Sequence, residues 1–112
     1  MNQKKIIENA LIGMDITPEL KGFHYITEFV LMHIENENLL TTQAYKEIAE
    51  KHNDTYSGVE KSIRHAIQDR ADINSPAYKK YIGNLQYRKN SAFLGLLELH
   101  VKEECENESD KN

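Results

Sequence analysis

The chain has 112 residues, of which 39% are apolar and 29% are charged, so it suffices for one domain with one modest core. The 14 basic and 18 acidic residues give a formal net charge of −4, which argues against a polybasic nucleic-acid binder but leaves room for a local basic face. Neither an apolar run of the roughly 20 residues that a bilayer requires nor a signal-peptide pattern occurs, so no membrane partner is expected.

The residue types that carry most enzyme and metal chemistry are sparse. The single cysteine, Cys105, cannot form an internal disulfide, which favours a reducing cytoplasm. The histidines show no zinc-ligand spacing, and a phosphate-binding Gly-rich loop, a nucleophile elbow and a close carboxylate pair are all missing. The sequence therefore predicts a protein that is not an enzyme and has no metal, no cofactor and no small-molecule substrate.

The first third of the chain predicts two helices. Apolar residues at 6–11 indicate a short helix that ends near Gly13. Thr17-Pro18-Glu19 has the hydroxyl, proline and carboxylate of a helix start, and the apolar positions that follow, up to Ile34, recur every three to four residues. Their breadth predicts a central helix that is buried on more than one side and ends at 36–38.

Four more helices follow. Their predicted starts are Thr41 or Thr42, a residue within 55–57, Ser75-Pro76, and Asn90-Ser91. Because the period-2 alternation of strands is missing, the fold class is all-α, a compact six-helix domain over residues 1–105. Residues 106–112 contain no apolar side chain and are predicted to be an acidic disordered tail.

Residues 42–69 have the layout of a helix-turn-helix. Ile48 and Ala49 give the first helix a close-packing face, residues 53–55 form the turn, and Val59 and Ile63 seat the second helix. Such a pair projects its second helix, here about 56–69, at the width that the major groove of DNA admits.

The second helix presents polar side chains suited to base edges. Arginine can bind guanine through two hydrogen bonds, and a glutamate can accept one from cytosine. The residues predicted to contact DNA are Ser57, Glu60, Lys61, Arg64 and His65, with Gln68 on the same stripe. Two alternatives remain open: Ser57-x-x-Glu60 also fits a capping box, and Glu60 with Arg64 also fits a surface ion pair.

One segment, 71–97, carries a net charge of +3. Its lysines and arginine are either phosphate contacts beside the second helix or a solvated face over tyrosines 78, 81 and 87 in the core. The candidate phosphate contacts are Lys79, Lys80, Arg88 and Lys89.

Several separated motifs resemble one family. The string over 57–67, with Val59-Glu60 and Ile63-Arg64-His65-Ala66-Ile67, resembles the recognition helix of the stage-zero sporulation regulator A family, the response regulators that start endospore formation. Similar motifs in the same order are Lys21-Gly22-Phe23-x-Tyr25-Ile26, Ile48-Ala49-x-Lys51 and Asn90-Ser91-x-Phe93, so the resemblance spans about 5–104.

The resemblance implies a six-helix effector domain that regulates transcription by binding a short DNA box with a central C·G element. It implies that Glu60, Lys61, Arg64 and His65 face double-stranded DNA, with Ser57 near the backbone. It also implies domains in tandem on neighbouring boxes. Because about ten residues precede the first matching helix, we expect no receiver domain and no phosphorylation control in cis.

Three residues depart from the family pattern. Gly58 and Lys61 stand where arginines are usual, which predicts weaker binding or a relaxed box. His52 replaces an apolar aromatic anchor, which predicts a less stable hairpin. Gly58, Lys61 and the acidic ends of the chain favour one alternative function, a protein-interaction module or antagonist that pairs with, or competes against, a full-length relative.

Overall fold

Capping side chains set three of the helix starts in the described part of this chain. The structure is a computed structural model that describes residues 2–85 and 88–110, with side chains described as far as residue 107. Over these residues it contains six α-helices and no strand, which confirms the predicted fold class. The helices are α1 (Gln3–Gly13), α2 (Lys21–Glu35), α3 (Thr41–Lys51), α4 (Tyr56–His65), α5 (Pro76–Tyr81) and α6 (Asn90–Asp110).

The central position belongs to α2, which packs against α1, α3, α4 and α6. Phe23, Ile26 and Val30, spaced three to four residues apart, are all buried, and Tyr25 and Phe29 widen the buried face. Full burial of each such side chain contributes about 1.5–3 kcal/mol. The core thus forms around α2, as its broad apolar face predicts.

Three helix starts illustrate how side chains satisfy the free amides of the first turn. Asn2 Oδ1 accepts from Lys5 N at 2.8 Å at the start of α1. Thr55 Oγ1 accepts from Gly58 N at 2.9 Å for α4, and Ser75 Oγ accepts from Tyr78 N at 3.1 Å for α5. The predicted starts within 55–57 and at Ser75-Pro76 are therefore confirmed.

Two predicted caps are wrong, although α3 does begin at Thr41 as predicted. Thr17 does not cap α2, because its hydroxyl donates to Glu19 Oε1 at 2.5 Å and the segment closes as a turn through Leu20 N to Thr17 O; α2 begins only at Lys21. The cap of α3 is Leu40 rather than a threonine. There the Gln43 side chain accepts from Leu40 N at 3.2 Å.

The last helix runs past the predicted domain end at residue 105. Helix α6 continues through Asp110, so it overlaps the first part of the predicted tail, 106–112. Adding residues to an existing helix costs little compared with nucleating one, and glutamate is a good helix former. Residues 111 and 112, and Tyr87 of the predicted core, lie outside the described residues.

Helices α2 and α4 approach closely at Gly22. A Cβ atom there would lie 2.5 Å from Ser62 O and 2.7 Å from Ala66 Cβ, so only glycine permits this separation. The crossing fixes how far α4 stands from the core, and a five-residue π-helical turn, Ala66–Arg70, continues α4 beyond it.

Candidate nucleic-acid interface

Helices α3 and α4 form a helix-turn-helix whose turn spans 52–55. Asn53 adopts a left-handed conformation with φ +53°, which asparagine tolerates better than most residues. Asp54 N then donates to Ala49 O at 2.8 Å, while Val59 and Ile63 seat α4 in the core. The layout predicted over 42–69 is present.

Asp54 fixes the entry into α4. Its Oδ1 accepts from Thr55 N at 2.7 Å, and its Oδ2 accepts from the hydroxyl of Tyr25 on α2 at 2.7 Å. Because of these bonds the pKa of Asp54 lies below its usual value, the Tyr25 bond contributing most. Burial, together with the neighbouring carboxylate, raises the pKa of Tyr25 to about 12.

The space around Gly58 explains why this position is a glycine here. A Cβ atom would lie 2.2 Å from Asp54 Oδ1 and 3.0 Å from Thr55 Oγ1. The arginine that the family pattern places at this position therefore requires a different arrangement of Asp54.

His52 makes polar contacts where the family pattern has an apolar aromatic. Its Nε2 donates to Glu28 Oε2 at 2.6 Å, and its ring packs edge-on against Tyr25 with a centroid separation of 5.1 Å. Lys51 Nζ lies 2.7 Å from the other carboxylate oxygen of Glu28. Burial of the carboxyl works against its ionisation, but the bonds from Lys51 and His52 outweigh burial, so the pKa of Glu28 is lowered.

All five predicted DNA-contacting side chains lie on the outer side of α4. Glu60 is half-buried and the other four are exposed: Ser57, Lys61, Arg64 and His65. Thr55 is the cap of α4, so Ser57 and Glu60 do not form a capping box. The surface ion pair is present but loose, with Arg64 Nη1 at 3.7 Å from Glu60 Oε1. His65 Nδ1 lies 2.8 Å from Asp69 Oδ2.

Clefts flank the exposed stripe on both sides. One of about 410 Å³ lies between α4 and the start of α6, and Glu60, Arg64, Gln68 and Lys89 share its lining with two tyrosines, Tyr45 and Tyr56. The other, of about 310 Å³, lies toward the start of α2 and includes Lys61 and His65. The stripe is therefore a ridge between two grooves.

The structure separates the four predicted phosphate contacts. Lys89 lines the same cleft as Arg64. Lys79 and Lys80 lie on α5, which packs on α1 and α6, and Lys80 Nζ lies 3.3 Å from Glu104 Oε1. The guanidinium of Arg88 donates to two backbone carbonyls of the π-helical turn that follows α4, Ile67 O and Gln68 O.

Sequence patterns did not indicate the roles of Asp54, Tyr25 or Arg88. The role of Asp54 had a local signal in the sequence, because an aspartate directly before a threonine cap can accept a hydrogen bond from the backbone amide of the cap residue. The two partners of Arg88 lie 20 and 21 residues away in the chain, and local spacing carries no information about such contacts.

Among the described residues, no helix combines the length and the apolar character that are needed to cross a membrane. In the same part of the chain, no three His, Cys, Asp or Glu side chains come together as metal ligands would.

Comparison with known protein families gives a match over most of the chain. The family model described as Sporulation initiation factor Spo0A C terminal matches residues 7–101. This family consists of helical DNA-binding domains of transcription regulators and is not an enzyme family. The match confirms the resemblance carried by the motifs, and its span includes α3, α4 and most of α6. The chain therefore belongs to the Spo0A C-terminal family of DNA-binding domains.

Proposed function

We propose that the chain regulates transcription by binding a specific double-stranded DNA sequence, with the recognition helix, about residues 56–69, in the major groove. The observation that carries this proposal is the polar stripe of α4, which the buried Val59 and Ile63 hold toward solvent. A helix presented in this way can place side chains against base edges.

Each residue of the stripe has a role that its chemistry suggests. Arg64 is positioned to bind guanine through two hydrogen bonds, and Glu60 to accept from cytosine N4. Their 3.7 Å separation keeps both groups near one base pair, and the loose pair costs little to open because exposed pairs contribute only about 0.3–0.5 kcal/mol. Lys61 and His65 contact bases or phosphates, and Ser57 contacts the backbone.

Phosphate contacts outside α4 add affinity but not sequence preference. Lys89 is the strongest candidate, because it lines the cleft that also contains Arg64. Lys79 and Lys80 stay candidates on the basis of charge alone.

The test begins with selection from a random duplex library, followed by Arg64→Ala. We expect this variant to lose about 1–3 kcal/mol of binding free energy on the selected box and to discriminate less at one base pair. Arg70→Ala is the matched control, because Arg70 carries the same charge on the same helical segment but lies 3.6 Å from Glu19. Equal losses in both variants, or none in Arg64→Ala, would contradict the role of Arg64.

The same protein and duplexes test the alternative function, that of an interaction module. A domain that acts by pairing with a full-length relative forms a complex with that relative and causes no salt-dependent mobility shift of DNA by itself. Titration of duplexes with one or two boxes also reports whether copies associate in tandem.

A further inference from the structure

A short segment that leads into α6 is bonded along the length of the recognition helix. This segment, residues 88–90, is called the strap here. At one end Arg88 Nη1 donates to Ile67 O at 3.1 Å and Nη2 to Gln68 O at 3.3 Å. At the other end Asn90 Nδ2 donates to Glu60 O at 3.2 Å. The strap therefore reaches carbonyls that are two helical turns apart.

The end of the recognition helix has an unusual need for such donors. In the π-helical turn Ala71 N donates to Ala66 O at 3.0 Å, an i+5 bond, and carbonyls near a helix end lack intrahelical partners. A guanidinium supplies two parallel N–H donors and a positive charge at the negative end of the helix dipole. Gln68 Nε2 donates back to Arg88 O at 3.4 Å.

Arg88 points into the protein. Its side chain is half-buried. Burial raises the pKa of Tyr78, and the nearby guanidinium of Arg88 offsets part of this shift because it favours the ionised phenol. Lys89, between the two anchored residues, lines the cleft beside Arg64.

We infer that Arg88 and Asn90 are positioning residues that fix the rotation of the recognition helix and thereby determine which base pairs it discriminates, without contacting DNA themselves. The inference rests on the proposed function. If the helix can rotate about its axis, Arg64 meets a base in more than one hydrogen-bonding geometry, and discrimination between bases falls. Phosphate contacts tolerate such movement because they do not depend on the base.

The test uses the full chain with Arg88→Lys, which keeps the charge but loses the two-pronged donor, and Arg88→Met, which loses both. In each we expect the ratio of specific to nonspecific affinity to fall about tenfold, with nonspecific affinity and its salt dependence unchanged. Lys89→Met is the control, because loss of a phosphate contact lowers the slope of log K against log salt by about 1 on every duplex.

A second readout needs no DNA. Hydrogen exchange of the Ala71 amide, which closes the π-helical turn, should become about tenfold faster in Arg88→Lys. The His52 amide, which donates to Ile48 O in α3, should be unchanged.

Three results would overturn the inference. One is full discrimination and unchanged Ala71 exchange in Arg88→Lys. Another is a salt slope that falls by about 1 in Arg88→Met, which would make Arg88 a phosphate ligand. The third is faster exchange with intact discrimination, which would leave Arg88 a purely structural role. If the parent chain selects no duplex at all, the proposed function fails by itself. Exchange of the Ala71 amide still reports whether the strap holds the end of the helix.

Discussion

Asp54 connects three parts of the interface through one carboxylate. It accepts from Tyr25 on α2 and from Thr55 at the start of α4, and it occupies the space beside Gly58. Substitutions at these positions should therefore not be independent of one another.

Gly58→Ala should depend on Asp54. In the parent chain we expect it to lower the free energy of unfolding by about 1–3 kcal/mol, because the new methyl group displaces a carboxylate that two donors hold in place. In the Asp54→Ala background it should instead raise that free energy by about 0.5–1 kcal/mol, since alanine favours helix more than glycine does. Urea denaturation of the four proteins measures the coupling. An effect of the same sign in both backgrounds would refute it.

The Tyr25–Asp54 bond should give stability a pH dependence at both extremes. The folded pKa of Tyr25 is about 12 against an ordinary 10.0, so its contribution is complete below pH 10 and is lost as the pH rises toward 12. The folded pKa of Asp54 lies below its ordinary 3.8, so its contribution is present above pH 4 and is lost on further acidification.

Tyr25→Phe removes the bond and should weaken the pH dependence of unfolding free energy at both the acid and the alkaline end. We expect the urea midpoint of the parent to exceed that of the variant most between pH 5 and 9, and the gap to narrow near pH 3 and above pH 11. Ultraviolet absorbance of the parent should show ionisation of a tyrosine near pH 12 that is missing from the variant. A constant gap across the whole range would show that the bond makes no pH-dependent contribution.

At the residue scale, prediction from sequence succeeded where chemistry is local. The exposed stripe of α4 follows from helical spacing around Val59 and Ile63. By contrast, the orientation of Arg88 depends on two carbonyls that lie 20 and 21 residues away, and such a contact leaves no signal in the local sequence.

Among the elements, the crossing of α2 and α4 decides how α4 is presented. Gly22 permits an approach that no other residue allows, and the recognition helix is thereby set against the central helix of the core.

Gly22→Ala should separate this crossing and weaken DNA binding. We expect a loss of about 1–3 kcal/mol of unfolding free energy, because backbone Ser62 O, unlike a side-chain end, cannot rotate away. Gly95→Ala is the matched control on α6, where a Cβ atom meets nothing within 4 Å. This substitution should raise the free energy of unfolding by about 0.5–1 kcal/mol. Thermal unfolding and duplex titration of both variants check this. Equal stability of the two variants would show that the crossing tolerates a side chain.

Element boundaries were predictable where a cap acts on its own helix. Thr55 and Ser75 do so, and α4 and α5 start as expected. Thr17 failed because its hydroxyl has a competing partner two residues away, and Pro18 occurs in turns as readily as at a helix start.

For the whole molecule, the distribution of charge matters more than its sum. Helix α6 begins beside the recognition helix, where Asn90 bonds to Glu60 O. Its later part lies near the far end of α2, where Lys102 Nζ is 2.8 Å from Glu37 Oε1. The carboxylates of residues 103–106 are therefore about 20 Å from the proposed DNA site, given the 1.5 Å rise per helical residue.

Neutralising the far end of α6 should affect DNA binding only at low salt. At 0.15 M salt the screening length is about 8 Å, and at 0.01 M it is about 30 Å. We expect Glu103→Gln with Glu106→Gln to leave affinity unchanged at the higher concentration and to tighten it about twofold at the lower. Lys61→Gln, on the recognition helix, should weaken binding at both concentrations. A tightening at 0.15 M would place these carboxylates near the DNA.

The length of α6 has a kinetic consequence as well. Glu103, Glu104 and Glu106 lie about 20 Å along α6 from the proposed DNA site, and the phosphate backbone repels them during approach. On the proposed function, this repulsion favours encounters in which α4 faces the duplex. An acidic protein can in this way approach a polyanion with its DNA-binding surface oriented toward it.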